Sequence, residues 1–151
     1  MIMKYFFASI MIAFIYLGID AQAEEPVKWS FEIEKVDAFE VKIIASAVID
    51  RGWKIYGTSF SGEGPVRTQL IIEEGKSYQK QGLPVELIPS QFQYDDIFAM
   101  NVYVFTEKAT ICQHIKILNH SQPLRGHIDY MCCNHRKCMP PASVCFEFKV
   151  P

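Results

Sequence analysis

The sequence predicts an all-β fold, an antiparallel β-sandwich, and three observations support this class. Apolar and polar residues alternate at period two in most segments, β-branched and aromatic residues are frequent there, and turn signals recur about every 8 to 12 residues. No segment combines an apolar helical stripe with helix caps. A length of 151 residues suits one domain, which we expect over residues 24–151.

The expected strands follow one another along this domain. Alternation is clear in WSFEIEKV, where Trp29, Phe31 and Ile33 share one side, and it returns in FEVKIIASAVID at 39–50. The remaining strands are expected in RGWKIYGTSF (51–60, opening with a glycine turn), TQLIIEE (68–74), PVELIPS (84–90), NVYVFTEKATICQHIKIL (101–118, two strands around a turn at Thr106–Lys108), PLRGHIDYMCC (123–133) and SVCFEFKVP (143–151).

Alternation also predicts where two of the cysteines point. In SVCFEFKV the apolar residues fall on one face, so Cys145 lies on the more polar face. In TICQHIKI the isoleucines share a face, so Cys112 lies on the face of His114 and Lys116. We expect both cysteines to remain independent free thiols.

Composition and charge narrow the function classes. Hydrophobic residues make up 50% of the chain and charged residues 21%, which is typical of a globular protein with a core. The formal net charge is −2 and no basic stripe appears, so we expect no nucleic-acid binding. Acidic residues and histidines show no catalytic spacing, so hydrolase chemistry has no visible site.

The first 23 residues are predicted to be a cleavable signal peptide. Lys4 gives a positive start, YFFASIMIAFIYLGI is an apolar run, and AQA at 21–23 is a small-residue cleavage site. An uncleaved membrane anchor is the alternative, but the apolar run is short for a membrane span. After cleavage we expect an exported chain without stable membrane insertion, whose disulfides can persist.

Three of the five cysteines, Cys132, Cys133 and Cys138, fall in DYMCCNHRKCMPP at 129–141. A Cys133–Cys138 disulfide would close a loop of about six residues, which stabilises a fold by only about 2 kcal/mol. Basic residues between the cysteines favour a thiolate, and two prolines stiffen the loop exit, so a redox pair is one interpretation. A structural disulfide is the second interpretation.

A metal site is the third interpretation of this stretch. Cys132, Cys133, His135 and Cys138 offer sulfur and nitrogen ligands, but adjacent residues of a strand point to opposite faces. The two-residue spacings of zinc knuckles are also missing. We therefore expect no metal and no other dissociable cofactor. The local pattern leaves the redox and structural interpretations open.

Several motifs resemble those of a known family. Residues 130–141 read YMxCNxxxCMPP, with a glycine at 126 and a phenylalanine at 146. Three further segments agree: DRGWKIYG at 50–57, GEGPVRTQL at 62–70 and FAMNVYVFTEKATICQHIKI at 98–117. Together they resemble the N-terminal periplasmic domain of the thiol–disulfide interchange protein DsbD, over essentially all of residues 27–151.

The resemblance implies an immunoglobulin-like sandwich with a redox-active cysteine pair near one end. The second cysteine, here Cys138, would form the mixed disulfide, and the first, Cys133, would resolve it. Cys132 departs from the standalone relatives, and some members space the pair one residue wider. A Cys132–Cys138 pair therefore stays an alternative.

The resemblance also implies a cap loop that shields the pair with an aromatic residue. Phe98 in DDIFAMN is the matching aromatic residue, and Trp53 and Tyr56 match aromatic residues that pack near the site. Asp95 and Asp96 fall beside the cap, and Asp96 is the carboxylate we assign to it. Carboxylates there could hold a thiol protonated until a partner docks.

The resemblance implies a periplasmic protein that passes reducing equivalents between thioredoxin-like partners. We expect this protein to lack the membrane domain and the C-terminal thioredoxin-like domain of full-length DsbD. The electron donor is therefore expected to be a separate membrane protein. The competing function is a non-redox sandwich that acts as an interaction module, with a structural loop disulfide.

Overall fold

The computed structural model describes residues 25–59 and 63–150, so the predicted signal peptide at 1–23 lies outside the described residues. The described part of the chain holds strands and turns, and it contains no helix long and apolar enough to cross a membrane. Its eleven strands are β1 Val27–Lys35, β2 Glu40–Ile49, β3 Lys54–Tyr56, β4 Gln69–Ile72, β5 Tyr78–Glu86, β6 Gln91–Asp95, β7 Met100–Phe105, β8 Lys108–Ile117, β9 Leu124–Tyr130, β10 Cys132–Cys133 and β11 Ala142–Phe148.

The strands form three antiparallel sheets. Sheet 1 has the order β1-β2-β8-β5, sheet 2 the order β10-β3-β7-β6, and sheet 3 the order β11-β9-β4. One apolar cluster joins sheet 1 to sheet 3, and a second joins sheet 1 to sheet 2. Sheet 1 is therefore one layer of a sandwich, and sheets 2 and 3 form the other. The predicted all-β antiparallel sandwich is confirmed.

Alternation builds the first layer as the sequence predicts. β1 and β2 pair without a break from Val27 opposite Ile49 to Lys35 opposite Val41. In β2 every second residue is buried from Val41 to Ile49, and these side chains form the floor of the core. The predicted glycine turn before β3 is also present, because Gly52 has a φ of 87°.

The two isolated cysteines remain free thiols, as expected. Cys145 is exposed on β11, while the neighbouring Phe146 is buried. Cys112 lies on the face of β8 that carries His114 and Lys116, as predicted, but it is only 3% exposed. Its neighbours across the sheet are Ile44 and Val85, and burial raises the pKa of the Cys112 thiol.

Three strand predictions needed correction. β5 begins at Tyr78, earlier than predicted, and Gly82 lies at a register shift against β8. β6 was missed, because its aromatic residues Phe92 and Tyr94 are exposed and the alternate positions hold the polar residues Gln91, Gln93 and the buried Asp95. The predicted strand at 123–133 is divided, since β9 belongs to sheet 3 and β10 to sheet 2.

Sheet 2 is apolar on both faces, and this feature positions the site. Ile55 and Phe105 point into the sandwich against sheet 1. Tyr56, Val102 and Val104 point the other way and form an outer cluster with Met131 and Cys133. We call this set the outer cluster.

Candidate redox site

Strand alternation at β10 sends adjacent cysteines to opposite faces of sheet 2. Cys132 pairs with Ile55 and is 4% exposed within the sandwich core. Cys133 pairs with Lys54 and lies fully buried in the outer cluster. Cys138 lies on the same side, and it forms a disulfide with Cys133 across a Cα–Cα distance of 4.0 Å. Of the two pairings that the sequence left open, the structure contains Cys133–Cys138, and Cys132 keeps its thiol.

Asn134 organises the loop between the two bonded cysteines. Its Oδ1 accepts hydrogen bonds from the backbone N–H groups of Arg136 at 2.8 Å and Lys137 at 2.9 Å. The backbone N–H of Asn134 donates to the Lys137 carbonyl, and the backbone N–H of Met139 donates to the Cys132 carbonyl. This side-chain turn holds the loop in a tight hairpin and leaves residues 135–137 exposed. We did not select Asn134 from the sequence, although Asn is a typical turn residue.

The two sulfur-bearing residues differ in exposure. Cys133 is fully buried, whereas Cys138 is half-buried. Phe98 and Met100 pack against the same outer cluster as Cys138. The Phe98 ring lies edge-on to the Tyr56 ring, with centroids 5.7 Å apart. The segment 96–99, which we call the cap loop, therefore brings Phe98 over the buried layer that contains the disulfide.

The other two residues proposed for the cap occupy different places. Trp53 is buried on the sandwich side of sheet 2, together with Cys132. The Lys137 ammonium lies 5.7 Å from the centre of the Trp53 ring, so Trp53 supports the disulfide loop from behind. Asp96 is exposed and lines a cleft of about 310 Å³ beside His135.

The carboxylate that organises the cap loop is Asp95. It is fully buried, and its Oδ1 accepts hydrogen bonds from the amides of Ile97 at 2.9 Å and Phe98 at 3.2 Å. Its Oδ2 lies 2.9 Å from the Tyr56 hydroxyl, which donates, and 2.8 Å from the Lys54 ammonium. Asp95 thus fixes the loop that carries Phe98 and ties it to β3.

These contacts determine the ionisation of the buried pair Asp95 and Tyr56. Burial alone would raise the pKa of Asp95, but hydrogen bonds from Lys54, the Phe98 amide and Tyr56 outweigh it and lower that pKa. Burial, followed by the bond to Asp95 and its charge, raises the pKa of Tyr56. Asp95 is therefore an anion at neutral pH, and the Tyr56 hydroxyl keeps its proton.

In the described part of the chain, no group of three or more His, Cys, Asp or Glu side chains is arranged to bind a metal ion. At the cysteine stretch the reason is geometric, because Cys132 and Cys133 face opposite sides of sheet 2.

An all-β sandwich with a disulfide in a short loop, whose two cysteines differ in burial, is compatible with a thiol–disulfide exchange domain. The family model described as "Thiol:disulfide interchange protein DsbD, N-terminal" matches residues 21–149. The chain belongs to this family, which confirms the resemblance seen in the sequence.

Solved structures show the same fold. The reduced DsbD N-terminal domain of Neisseria meningitidis matches at 15% identity and a TM-score of 0.51, covering 81% of this chain and 85% of that chain. The N-terminal periplasmic domain of ScsB from Proteus mirabilis matches at 16% identity and a TM-score of 0.58, covering 83% of this chain and 47% of that chain. A complex of the DsbD and PilB N-terminal domains from Neisseria meningitidis matches at 15% identity and a TM-score of 0.52, covering 79% and 80%. No curated protein matches this chain. The fold is the immunoglobulin-like sandwich expected for the family.

Proposed function

We propose that this protein transfers reducing equivalents between thioredoxin-like proteins through the Cys133–Cys138 pair. The observation that carries the proposal is the unequal burial of the two bonded residues. A partner thiolate approaches Cys138, which is half-buried, more readily than Cys133, which has no exposed surface. Cys138 is therefore the residue attacked, and Cys133 is the leaving and resolving group.

The exchange is balanced in thiols and disulfides. A donor thiolate attacks Cys138 Sγ, the Cys133–Cys138 bond breaks, and Cys133 leaves as a thiolate that takes up a proton. The second thiol of the donor then attacks the donor sulfur of this mixed disulfide and releases Cys138 as a thiolate, so the donor becomes a disulfide. In the reverse sequence, Cys138 attacks an acceptor disulfide, Cys133 closes the intramolecular bond, and the acceptor leaves as a dithiol.

We further propose where this exchange takes place. The residues preceding 24 would act as a signal peptide, and the exported domain 24–151 would work in the periplasm. The ScsB relative is described as a periplasmic domain, and a DsbD N-terminal domain was solved in complex with the PilB N-terminal domain. These relatives support a periplasmic setting and a protein partner, and a separate membrane protein would supply the electrons.

Trapping a mixed disulfide tests the proposal. In a Cys145→Ser background, which removes the exposed thiol outside the site, Cys133→Ala is first converted to its Cys138–thionitrobenzoate mixed disulfide with Ellman's reagent. A thioredoxin-like protein that lacks its own resolving cysteine should then attack Cys138, release the thionitrobenzoate anion and remain captured. The matched Cys138→Ala variant should capture none, because its remaining Cys133 is buried. Capture should appear as a covalent complex that dithiothreitol releases.

The competing function, a structural loop disulfide, predicts a different result. A potential well below about −300 mV, together with no complex from Cys133→Ala, would reject the exchange function.

A further inference from the structure

Lys54 lies next to the disulfide on the same face of sheet 2. It is the direct cross-strand partner of Cys133, so their side chains are neighbours on one face. Tyr56, two residues later, shares this face. The Lys54 side chain is 17% exposed, and its ammonium lies 2.8 Å from the Asp95 carboxylate.

Asp95 creates a conflict at this position. Its carboxylate must stay buried to hold the Phe98 amide and the Tyr56 hydroxyl, and through them the cap loop. Its side-chain partners, Lys54 and Tyr56, lie on the face of sheet 2 that carries Cys133. A buried anion near a cysteine pair opposes the formation of a thiolate, which is the species that attacks a disulfide. Without a nearby positive charge, Asp95 would anchor the cap loop but would also disfavour thiolate formation at Cys133 and Cys138.

We infer that Lys54 is a positioning residue whose ammonium cancels the charge of Asp95 beside the Cys133–Cys138 pair. The inference rests on the proposed exchange at the same pair. The Lys54–Asp95 pair lets the carboxylate fix the cap loop while the reduced cysteines face a neutral ion pair. The sequence suggested that carboxylates beside the cap loop hold a thiol protonated. The inference instead gives Asp95 the role of anchoring the cap loop, with its charge balanced by Lys54.

Other charged groups around the site are in contact with water. The adjoining turns and the disulfide loop contribute exposed side chains, whose effect on the pair is screened by solvent and salt. The Tyr56 hydroxyl, which donates to the Asp95 carboxylate, remains neutral. The exposed groups that line the adjacent cleft are Asp50, Arg51, Asp96, Glu107 and His135, and Arg136 and Lys137 follow in the loop.

The test measures how readily the reduced cysteines ionise. The rate of iodoacetamide alkylation at Cys138 is followed by peptide mass spectrometry against pH, in the reduced Cys145→Ser protein. The midpoint of this profile reports thiolate formation, and its high-pH plateau reports access past the cap loop. No partner protein is needed, so failure here is distinct from failure to trap a mixed disulfide.

Two single variants should move the midpoint in opposite directions. Lys54→Met leaves the buried Asp95 anion unbalanced and should raise the midpoint by about one pH unit. Asp95→Asn leaves the Lys54 cation unbalanced and should lower it. The midpoint of the double variant Lys54→Met/Asp95→Asn should lie close to that of the parent protein. The midpoint of Lys54→Arg should also equal that of the parent. Asp95→Asn should also raise the plateau, because the cap loop loses its anchor.

Matched controls separate charge from structure. Lys116→Met removes an exposed lysine of β8 and should leave the midpoint unchanged. Circular dichroism checks that each variant is folded, and if Lys54→Met fails to fold, the direction of the Asp95→Asn shift decides. Midpoints that stay the same in both single variants, or that move in the same direction, would overturn the inference.

Discussion

At the scale of single residues, the reactivity expected of each bonded cysteine depends on how far neighbouring side chains bury it. Cys133 has no exposed surface, and the half-buried Cys138 packs with Phe98 against the outer cluster. Asp95 sets the position of Phe98 through backbone hydrogen bonds. We therefore expect shielding of the disulfide to depend on the cap loop and its buried anchor, and to change without substitution of either cysteine.

Removing the Phe98 ring should expose the disulfide. Phe98→Ala should make the oxidised protein react several-fold faster with dithiothreitol, since exchange rates depend on access to the attacked sulfur. The matched control is Phe92→Ala, which removes an aromatic ring that is 62% exposed on β6 and should leave the rate unchanged. Stopped-flow or quenched thiol assays measure both. Equal rates in Phe98→Ala and the parent would show that the cap loop does not limit access.

The sequence identified part of this residue-level picture. It predicted the pair Cys133 and Cys138 and selected Phe98 and Tyr56, because these residues match a specific motif and an aromatic pattern. It did not select Lys54 or Asn134, and between the two adjacent aspartates it chose Asp96. Which aspartate is buried depends on the pairing of β6 with β7, where Asp95 lies opposite Met100, and β6 was not recognised.

At the scale of elements, the two-residue strand β10 decides which cysteines pair. Pairing of β10 with β3 fixes Cys132 opposite Ile55 and Cys133 opposite Lys54. A shift of one residue would exchange the two faces and bring Cys132 to Cys138. A hydrogen bond from the Met139 backbone N–H to the Cys132 carbonyl holds the end of the disulfide loop in this register. Cys132 is thus a core residue that lies next to the disulfide-bonded Cys133 in sequence.

The Cys132→Ala variant tests this role for β10. We expect the Cys133–Cys138 disulfide to persist in peptide mapping and the trapping of partners to be unchanged, because Cys132 faces the sandwich. The free energy of unfolding should fall by about 1 kcal/mol, the cost of a small cavity. In the control Cys145→Ala, at an exposed position, the change should stay within about 0.5 kcal/mol. Loss of the disulfide in Cys132→Ala would show that Cys132, and not Cys133, is the bonding partner of Cys138.

At the scale of the whole molecule, the core forms without the disulfide. The two large apolar clusters join sheet 1 to sheets 2 and 3, and the bonded cysteines belong to neither of them. Cys133 belongs to the smaller outer cluster on the far face of sheet 2, and Cys138 packs against it. The candidate redox site is therefore attached to the outside of a sandwich that is held together by burial of apolar surface.

Reduction should leave the sandwich folded. The disulfide closes a loop with a sequence separation of 5, so its loss should lower the free energy of unfolding by no more than about 2 kcal/mol. Denaturant unfolding of the oxidised and reduced protein should give two cooperative transitions with the same slope. The double variant Cys133→Ala/Cys138→Ala is the matched control and should resemble the reduced protein. Unfolding upon reduction would mean that the disulfide is a structural element after all.

The sequence by itself determined the fold class, most strands, the faces of Cys112 and Cys145, and the motif that belongs to the family. These follow from alternation and from local motifs, which are properties of neighbouring residues along one chain. Only the tertiary structure decided the rest: that Cys112 is buried, that β6 exists with its aromatic residues outward, and that Asp95 meets Lys54 beneath the cap loop. It also decided between Cys132 and Cys133. The physical reason is that burial and pairing depend on strands distant in sequence, and sheet 2, with a buried layer on each face, gives adjacent cysteines two different environments.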